Sequence, residues 1–441
     1  MNKYQKFSGR ERRFILSMRS KGALCTPDEA PAWMEADMPD TNMSKDSAKP
    51  EQFYDAFVQC GPGTLGGTYL RQFWHPIAVS ADLKPGDTKP IKLMSEEFTL
   101  YRGESGVLHL TEKHCPHRRS QLSVGYVEGD SIRCLYHGWK FGADGACVER
   151  PAEPGVSTSI RIKTYGVNEC LGLIFAYIGG GAEPAFPPFP DFEGEGMVVT
   201  EQEYFEYNHF QAWENDWDPY HADWTHKMGE IHRPLPGQSR KDFYMSMLKT
   251  SVFEETEYGI LRRLEVPGPI KNATVFLMPS AIRLFIPTFN ELNRRNAGPQ
   301  FRDTYIIHTP IDDYSHYTFL TQFLPVVGEE AEAYKKHHEE VAALRANWPT
   351  AAEAGRSILA GKSKLSDYKQ HPVFVAFEDT AAQSSQGVIA DRTKEKLGVS
   401  DAGVVYLRRL MARELSLLAE GKPTTDWTTD WKMPDSNSVF L

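Results

Sequence analysis

Short runs of alternating apolar and polar residues fill positions 52–180, as in EFTLYRG, GVLHLTE and LGLIFAYIG, with Gly, Asp and Pro between them. A period of two broken by turn residues predicts a series of short β-strands. A Pro- and Gly-rich seam, GGGAEPAFPPFPDFEGEG, then interrupts the pattern as a domain boundary would. Beyond it the periods mix. AIRLFIPTF and HYTFLTQFLPV read as strands. Residues 329–347 read as a charged amphipathic helix, and 400–420 as a second helix capped by Ser400 and stopped at Gly421. The first 50 residues are polar and carry no period, which predicts a loosely packed leader. Met43, just ahead of the organised sequence, is a candidate natural start. The division expected is 51–180 as an all-β domain, 181–425 as a mixed domain and 426–441 as a tail.

Composition narrows the function. The chain has 441 residues, 41% hydrophobic and 24% charged, enough for two or three domains with sizeable cores. A net charge of −10 without a Lys/Arg run argues against nucleic acid as a partner. No apolar run approaches the roughly 18 residues of a membrane span. The apolar stretch FIL near the N-terminus is too short for a signal peptide, and Glu11 weighs against a transit peptide. Six cysteines in so long a chain form no disulfide framework, so a cytoplasmic protein is expected.

Two of those cysteines lie in CPHRRSQLSVGYVEGDSIRCLYHGW, which holds a C-x-H and, after sixteen intervening residues, a C-x-x-H. Thiolate and neutral imidazole are ligands for zinc or for an iron–sulfur cluster. A Rieske [2Fe–2S] centre takes two Cys on one iron and two His on the other, which Cys115/His117 and Cys134/His137 supply. The rival is a structural zinc site. Zinc fingers usually pair like with like, whereas each half here is mixed. Pro116, Gly125, Gly145 and YHGWKF make tight turns whose N–H groups can reach cluster sulfurs.

A second constellation follows in WENDWDPYHADWTH. A non-haem Fe(II) that activates O2 wants two His, one carboxylate and open positions. His221 and His226 are five residues apart, about 140° around a regular helix, so they converge only if the chain leaves the helix between them. Asp218 and His221, three apart, would share a helix face. KKHHEE at 335–340 also gathers His and Glu, but on a strongly charged helix it reads as a solvated face.

Both motifs, with LRQFWHPIAVSADL, HTPIDDYSHYTF and YLRRLMARELSLLAEGK, resemble the Rieske non-haem iron aromatic oxygenases of the phthalate-dioxygenase-like group, over nearly the whole chain from about Gln52. The resemblance implies an α+β protein: an N-terminal all-β Rieske [2Fe–2S] domain and a C-terminal α+β helix-grip catalytic domain with mononuclear Fe(II). It implies His221 and His226 as iron ligands. The third is Asp379, in VFVAFEDTAAQSSQG, with Glu378 as the neighbour that could be confused with it. It implies that Asp218 carries electrons between subunits, bonding His221 and His137 of the partner subunit in a head-to-tail homotrimer. The substrates would be an aromatic acid and O2. Electrons would come from a separate NAD(P)H-dependent reductase, with or without a ferredoxin, since no nucleotide fingerprint follows a strand here.

Within the group, GDTKPIKLMSEEFTLYRGESG is most similar to members that O-demethylate lignin-derived biphenyl acids and release formaldehyde. Phthalate-like ring dihydroxylation, N-demethylation or other side-chain oxidation are the alternatives. An acidic substrate calls for a buried cation, for which Arg283 is a candidate, although a surface arginine is the plainer reading. ADWT, between the two iron histidines, places Asp223 and Trp224 where many relatives are apolar, which bears on specificity. An electron carrier with the Rieske centre alone would need neither the second constellation nor the long stretch after Gly180.

Overall fold

The structure is a computed structural model that describes residues 13–14, 49–153, 159–189, 195–228, 251–264, 273–287, 301–324 and 326–427. Most of the expected leader and tail lie outside the described residues. The alternating N-terminal runs form two antiparallel sheets. Six strands pair in the order His75–Val79, Leu173–Tyr177, Thr164–Cys170, Leu108–Glu112, Glu96–Arg102, Thr88–Leu93. Four short ones, Tyr126–Glu128, Ser131–Arg133, Lys140–Phe141 and Cys147–Glu149, form a second sheet. The two Cys/His stretches are the loops beside this small sheet.

The C-terminal half is α+β. Its antiparallel sheet runs Arg13–Phe14, Ser251–Thr256, Gly259–Leu264, Ala273–Leu277, Ala281–Pro287, Phe301–Asp312, Ser315–Leu324, Met197–Phe205. One face grips the helix Ala402–Ala419. Ile260, Phe276 and Ile282 on that face share a core with Trp217, Leu407 and Met411. Alternate residues, Val275, Leu277 and Tyr305, pack on the other face against Leu173, Phe175 and Tyr177 of the six-stranded sheet.

The two halves share more than contact. The gripped-helix core also takes in Phe57, Leu93, Phe98 and Leu100. Main chain joins them as well: Met94 N–H donates to Pro310 O at 3.0 Å and Ser95 N–H to Ile311 O at 2.8 Å.

Local expectations fare differently. The charged helix spans Gly328–Arg345, and His337 on it is exposed, as a solvated face requires. The C-terminal helix stops before Gly421, at φ 68°, but Ser400 does not cap it. Residues Val399–Asp401 instead form a 3-10 turn in which Asp401 accepts the Gly398 N–H, so the helix proper starts at Ala402. Arg283 is not a surface residue. It is fully buried, and its strand neighbours Val275 and Tyr305 place it on the sheet face away from the gripped helix. No helix among the described residues is long and apolar enough to cross a membrane.

Candidate metal centres

The two Cys/His loops are built alike. Cys115 N–H donates to Ser120 O and Cys134 N–H to Trp139 O, both at 2.8 Å. Inside each loop the residue four positions on returns a bond: Arg119 N–H to Cys115 O, and Gly138 N–H to Cys134 O. Closing so tight a turn puts both of those residues in the left-handed region, at φ 59° and 73°. A side chain at position 138 would also meet Pro151 at 3.0 Å, so glycine suits that loop on two counts.

Cys115 and Cys134 point into a small apolar core with Leu122, Ile132 and Phe141, while His117 and His137 sit exposed at the tips. The rings of His117 and His137 are 4.5 Å apart, and Trp139 stacks on His117 at 4.6 Å and 3°. Burial pushes the Cys115 thiol up to about 12, with Cys134 beside it, so only a strongly bound cation would take its proton. Among the described residues, only His221, His226 and Asp379 bring three ligand atoms within 4.8 Å of one another. The Cys/His quartet is therefore spread wider than a single tetrahedral zinc ion requires, and two buried thiolates below two exposed imidazoles suit a two-iron cluster.

The second site depends on a break in a helix. Asn208 caps the helix His209–Trp217 by accepting the Phe210 N–H at 3.0 Å. The helix ends at Asp218, which is extended at ψ 109°, as a residue before proline should be. Asp218 and His221 therefore do not share a helix face. Instead Asp218 Oδ1 accepts the Tyr220 N–H at 2.8 Å, and its carbonyl accepts from His221 Nδ1 at 2.5 Å. A five-residue helix, His221–Thr225, follows and stops at His226. Contrary to what their spacing suggested, the chain does not leave the helix between the two histidines: the His226 N–H still bonds the Ala222 carbonyl, and the departure comes at His226 itself, at ψ 21°, with the two rings 5.5 Å apart.

Asp379 arrives from the helix Phe374–Ser385. Its Oδ1 lies 3.4 Å from His226 Nε2 and 3.8 Å from His221 Nε2. Both Nδ1 atoms are engaged elsewhere, His221 on the Asp218 carbonyl and His226 on Glu378 Oε2 at 3.1 Å. Each imidazole so donates from Nδ1 and turns its Nε2 lone pair to the common point, which is what a metal takes. Burial raises the Asp379 pKa despite the two histidines. Burial opposes charge on His226, but Glu378 and Asp379 outweigh it and raise that pKa too. The donor set is two imidazoles and a carboxylate, as a non-haem Fe(II) site requires.

Sequence reasoning missed the support around this triad. Glu378 is fully buried, although its rank beside Asp379 gave no hint of a separate task. Asn215 Nδ2 donates to Asp379 Oδ1 at 3.3 Å. Asp216 pairs with His308 Nε2 at 2.8 Å, a partner 92 residues away. Glu214 anchors the same helix to Arg392 and Arg408. Arg262 is a buried cation close enough to Asp218 for their charges to interact; its own pKa falls to about 10 through burial. Ile260 and Arg262, two apart on one strand, share the face toward the gripped helix, where Arg283 does not lie.

An all-β part bearing Cys/His loops, joined to a helix-grip part bearing two histidines and a carboxylate, defines a Rieske terminal oxygenase. A family model for the Rieske [2Fe-2S] domain matches residues 73–165, which hold both loops. Over 388 residues the chain is 30% identical to the 5,5'-dehydrodivanillate O-demethylase oxygenase subunit of Sphingobium sp. (strain NBRC 103272 / SYK-6), covering 83% of this chain and 81% of that one. It is 27% identical to the phthalate 4,5-dioxygenase oxygenase subunit of Pseudomonas putida over 386 residues, 81% of this chain and 84% of the other. The solved Pseudomonas putida CBB5 NdmA QL mutant with theobromine has the same fold, at TM-score 0.59 and 18% identity over 80% of this chain and 93% of that one.

The chain belongs to the Rieske non-haem iron oxygenases, oxidoreductases that act with O2, and its cofactors are a [2Fe–2S] cluster and mononuclear Fe(II).

Proposed function

We propose that Cys115, His117, Cys134 and His137 hold the cluster, that His221, His226 and Asp379 hold the Fe(II), and that the enzyme O-demethylates a methoxylated, lignin-derived aromatic acid of biphenyl type. The observation that carries this substrate reading is the likeness, over four-fifths of both chains, to an O-demethylase subunit. Residues 51–180 would form the Rieske domain and 181–425 the catalytic domain.

The cluster supplies single electrons and the mononuclear iron supplies O2 activation when bound. The chain's own residues do the rest. Glu378 and the Asp218 carbonyl fix the tautomer and direction of His226 and His221. Asn215 steadies the Asp379 carboxylate. His117 and His137 are exposed, so electrons leave the loops toward another chain. Asp218 receives them beside His221, facing His137 of the partner subunit in a head-to-tail homotrimer. A separate NAD(P)H-dependent reductase, with or without a ferredoxin, feeds the loops. Hydroxylation of the methoxy carbon gives a hemiacetal that collapses to phenol and formaldehyde. The five described cysteines are free, which supports a reducing cytoplasm.

The test mixes purified protein, NADH, a phthalate-type reductase and dehydrodivanillate, and follows O2 and formaldehyde together. One formaldehyde per substrate consumed is expected. O2 uptake without formaldehyde would reject O-demethylation and bring phthalate-like ring dihydroxylation forward, the reaction that the second relative's name suggests.

A further inference from the structure

Four histidines lie fully or almost fully buried where the two halves meet. His75 opens the strand His75–Val79, His209 opens the helix that leads to the triad, and His308 and His316 sit on paired strands. They are close neighbours. The rings of His308 and His316 are 5.4 Å apart. His209 feels the charge of both His308 and His75, and His316 that of His308 and His209.

Their hydrogen bonding is incomplete. His75 Nδ1, both ring nitrogens of His209, His316 Nε2 and the neighbouring Trp213 Nε1 have no well-formed protein partner, although the Phe57 carbonyl lies close to His209. Buried polar atoms left so are costly, and clusters of them are where proteins keep ordered internal water. His308 is the exception. Its Nε2–H donates to Asp216 Oδ2 and its Nδ1 accepts from Thr318 Oγ1, both at 2.8 Å. Asp216 is near enough to Asp379 and His226 to act on the charge of each.

We propose that the Asp216–His308 pair, backed by His316, His209 and His75 through internal water, is the proton relay that serves O2 reduction at the triad. The inference rests on the oxygenase class and on the triad as the iron site, not on the choice of substrate. In O-demethylation one oxygen atom enters a C–H bond and the other leaves as water. That consumes two electrons from the reductase and two protons per O2. In ring dihydroxylation both oxygens enter the ring and the same two protons end on the diol. Either way protons must reach a buried site in step with the electrons. A neutral imidazole can donate from one nitrogen while accepting at the other, which is the property a relay needs. The groups facing His308 are Asp216 from the helix, Thr318 and His316 from the paired strand, and His209, with Arg392 acting on His209 from behind.

The test uses His308→Gln and Asp216→Asn in the full-length protein with both metal centres loaded. Iron content and the visible Rieske spectrum should match the parent. O2 consumption, driven by either dehydrodivanillate or phthalate, should slow at least about tenfold, with hydrogen peroxide released per O2 and a larger solvent isotope effect. A His308→Ala variant should recover rate with added imidazole. With zinc at the mononuclear site, nitrogen-15 shifts should show His308 as the Nε2–H tautomer and should change on Asp216→Asn. Parent-like rate and coupling in both variants would overturn the relay, as would nitrogen shifts indifferent to Asp216. A slow rate that merely tracks iron loss would also overturn it, as a structural role. Since either acid serves to drive O2 uptake, failure of the O-demethylase reading leaves this experiment decisive.

Discussion

Glu378 and Asp379 are adjacent carboxylates on one helix, yet they meet different atoms of the same histidine. Asp379 faces His226 Nε2 and Glu378 holds His226 Nδ1. Removing the second grip frees the ring to rotate and lowers its basicity. Glu378→Ala should therefore weaken Fe(II) binding by about 10–100-fold. Glu378→Gln, which can still accept from Nδ1, should lose less. Fe(II) titration of protein with its cluster intact reads both. An unchanged affinity in Glu378→Ala would show that the buried contact does not orient the ligand. At this scale the sequence was legible only where ligands are close in number. Cys115/His117 and Cys134/His137 announce themselves in two short loops. Consecutive helical residues diverge by about 100°, so which of two carboxylates faces the metal depends on how the whole helix is rotated. The Asp216–His308 pair was out of reach altogether, since only the packing of the helix His209–Trp217 against the strand Phe301–Asp312 brings the two residues together.

The element that makes the iron site is a helix interruption. Pro219 holds Asp218 out of the helical region, which ends the helix His209–Trp217 and sets the Asp218 carbonyl on His221 Nδ1. The spacing suggested a break between the two histidines, but both lie on one short turn that follows the interruption and ends at His226. The place of the interruption was written in the dipeptide before Tyr220, but the three-residue spacing of Asp218 and His221 suggested a shared helix face instead. Pro219→Ala removes the restriction. The helix His209–Trp217 can then run on, carrying the Asp218 carbonyl away from His221 Nδ1. Iron content should fall several-fold while the Rieske spectrum stays unchanged, because the two Cys/His loops are separate from this helix. Elemental analysis beside the visible spectrum decides it, and full iron occupancy would show that other contacts fix the break. The missed cap at Ser400 has a similar origin. Ser is a good cap in isolation, but Asp401, one residue on, competes for the turn by accepting the Gly398 N–H.

Across the whole molecule, the buried histidines make folding sensitive to acid. Burial lowers the pKa of His75 to about 4 and of His209 to about 3, and that of His316 falls well below its usual value. Their ordinary value in an unfolded chain is about 6.5. Above that pH both states are neutral at these sites and the contribution to stability is complete. Below it the unfolded chain binds protons that the fold refuses, so stability falls as the pH drops from about 6.5 toward the folded values. Each such group contributes a slope of about 1.4 kcal/mol per pH unit. Three of them amount to about 4 kcal/mol per unit, and to about 6 kcal/mol by pH 5, a large share of a typical domain's 5–15 kcal/mol. Half-buried Asp218 and Glu203, whose pKa values desolvation raises, work in the opposite direction but chiefly nearer the carboxylate range. The shared core ties the loss to both halves at once, because His75 belongs to one and His209 and His316 to the other. The melting temperature should therefore fall steeply between pH 6.5 and 5, and loss of the Rieske colour should accompany unfolding of the catalytic part. His209→Asn, which cannot take up a proton when unfolded, should flatten that slope by about a third relative to its own value at pH 7. A melting temperature level across this range would mean that His75, His209 and His316 do not stay neutral in the fold.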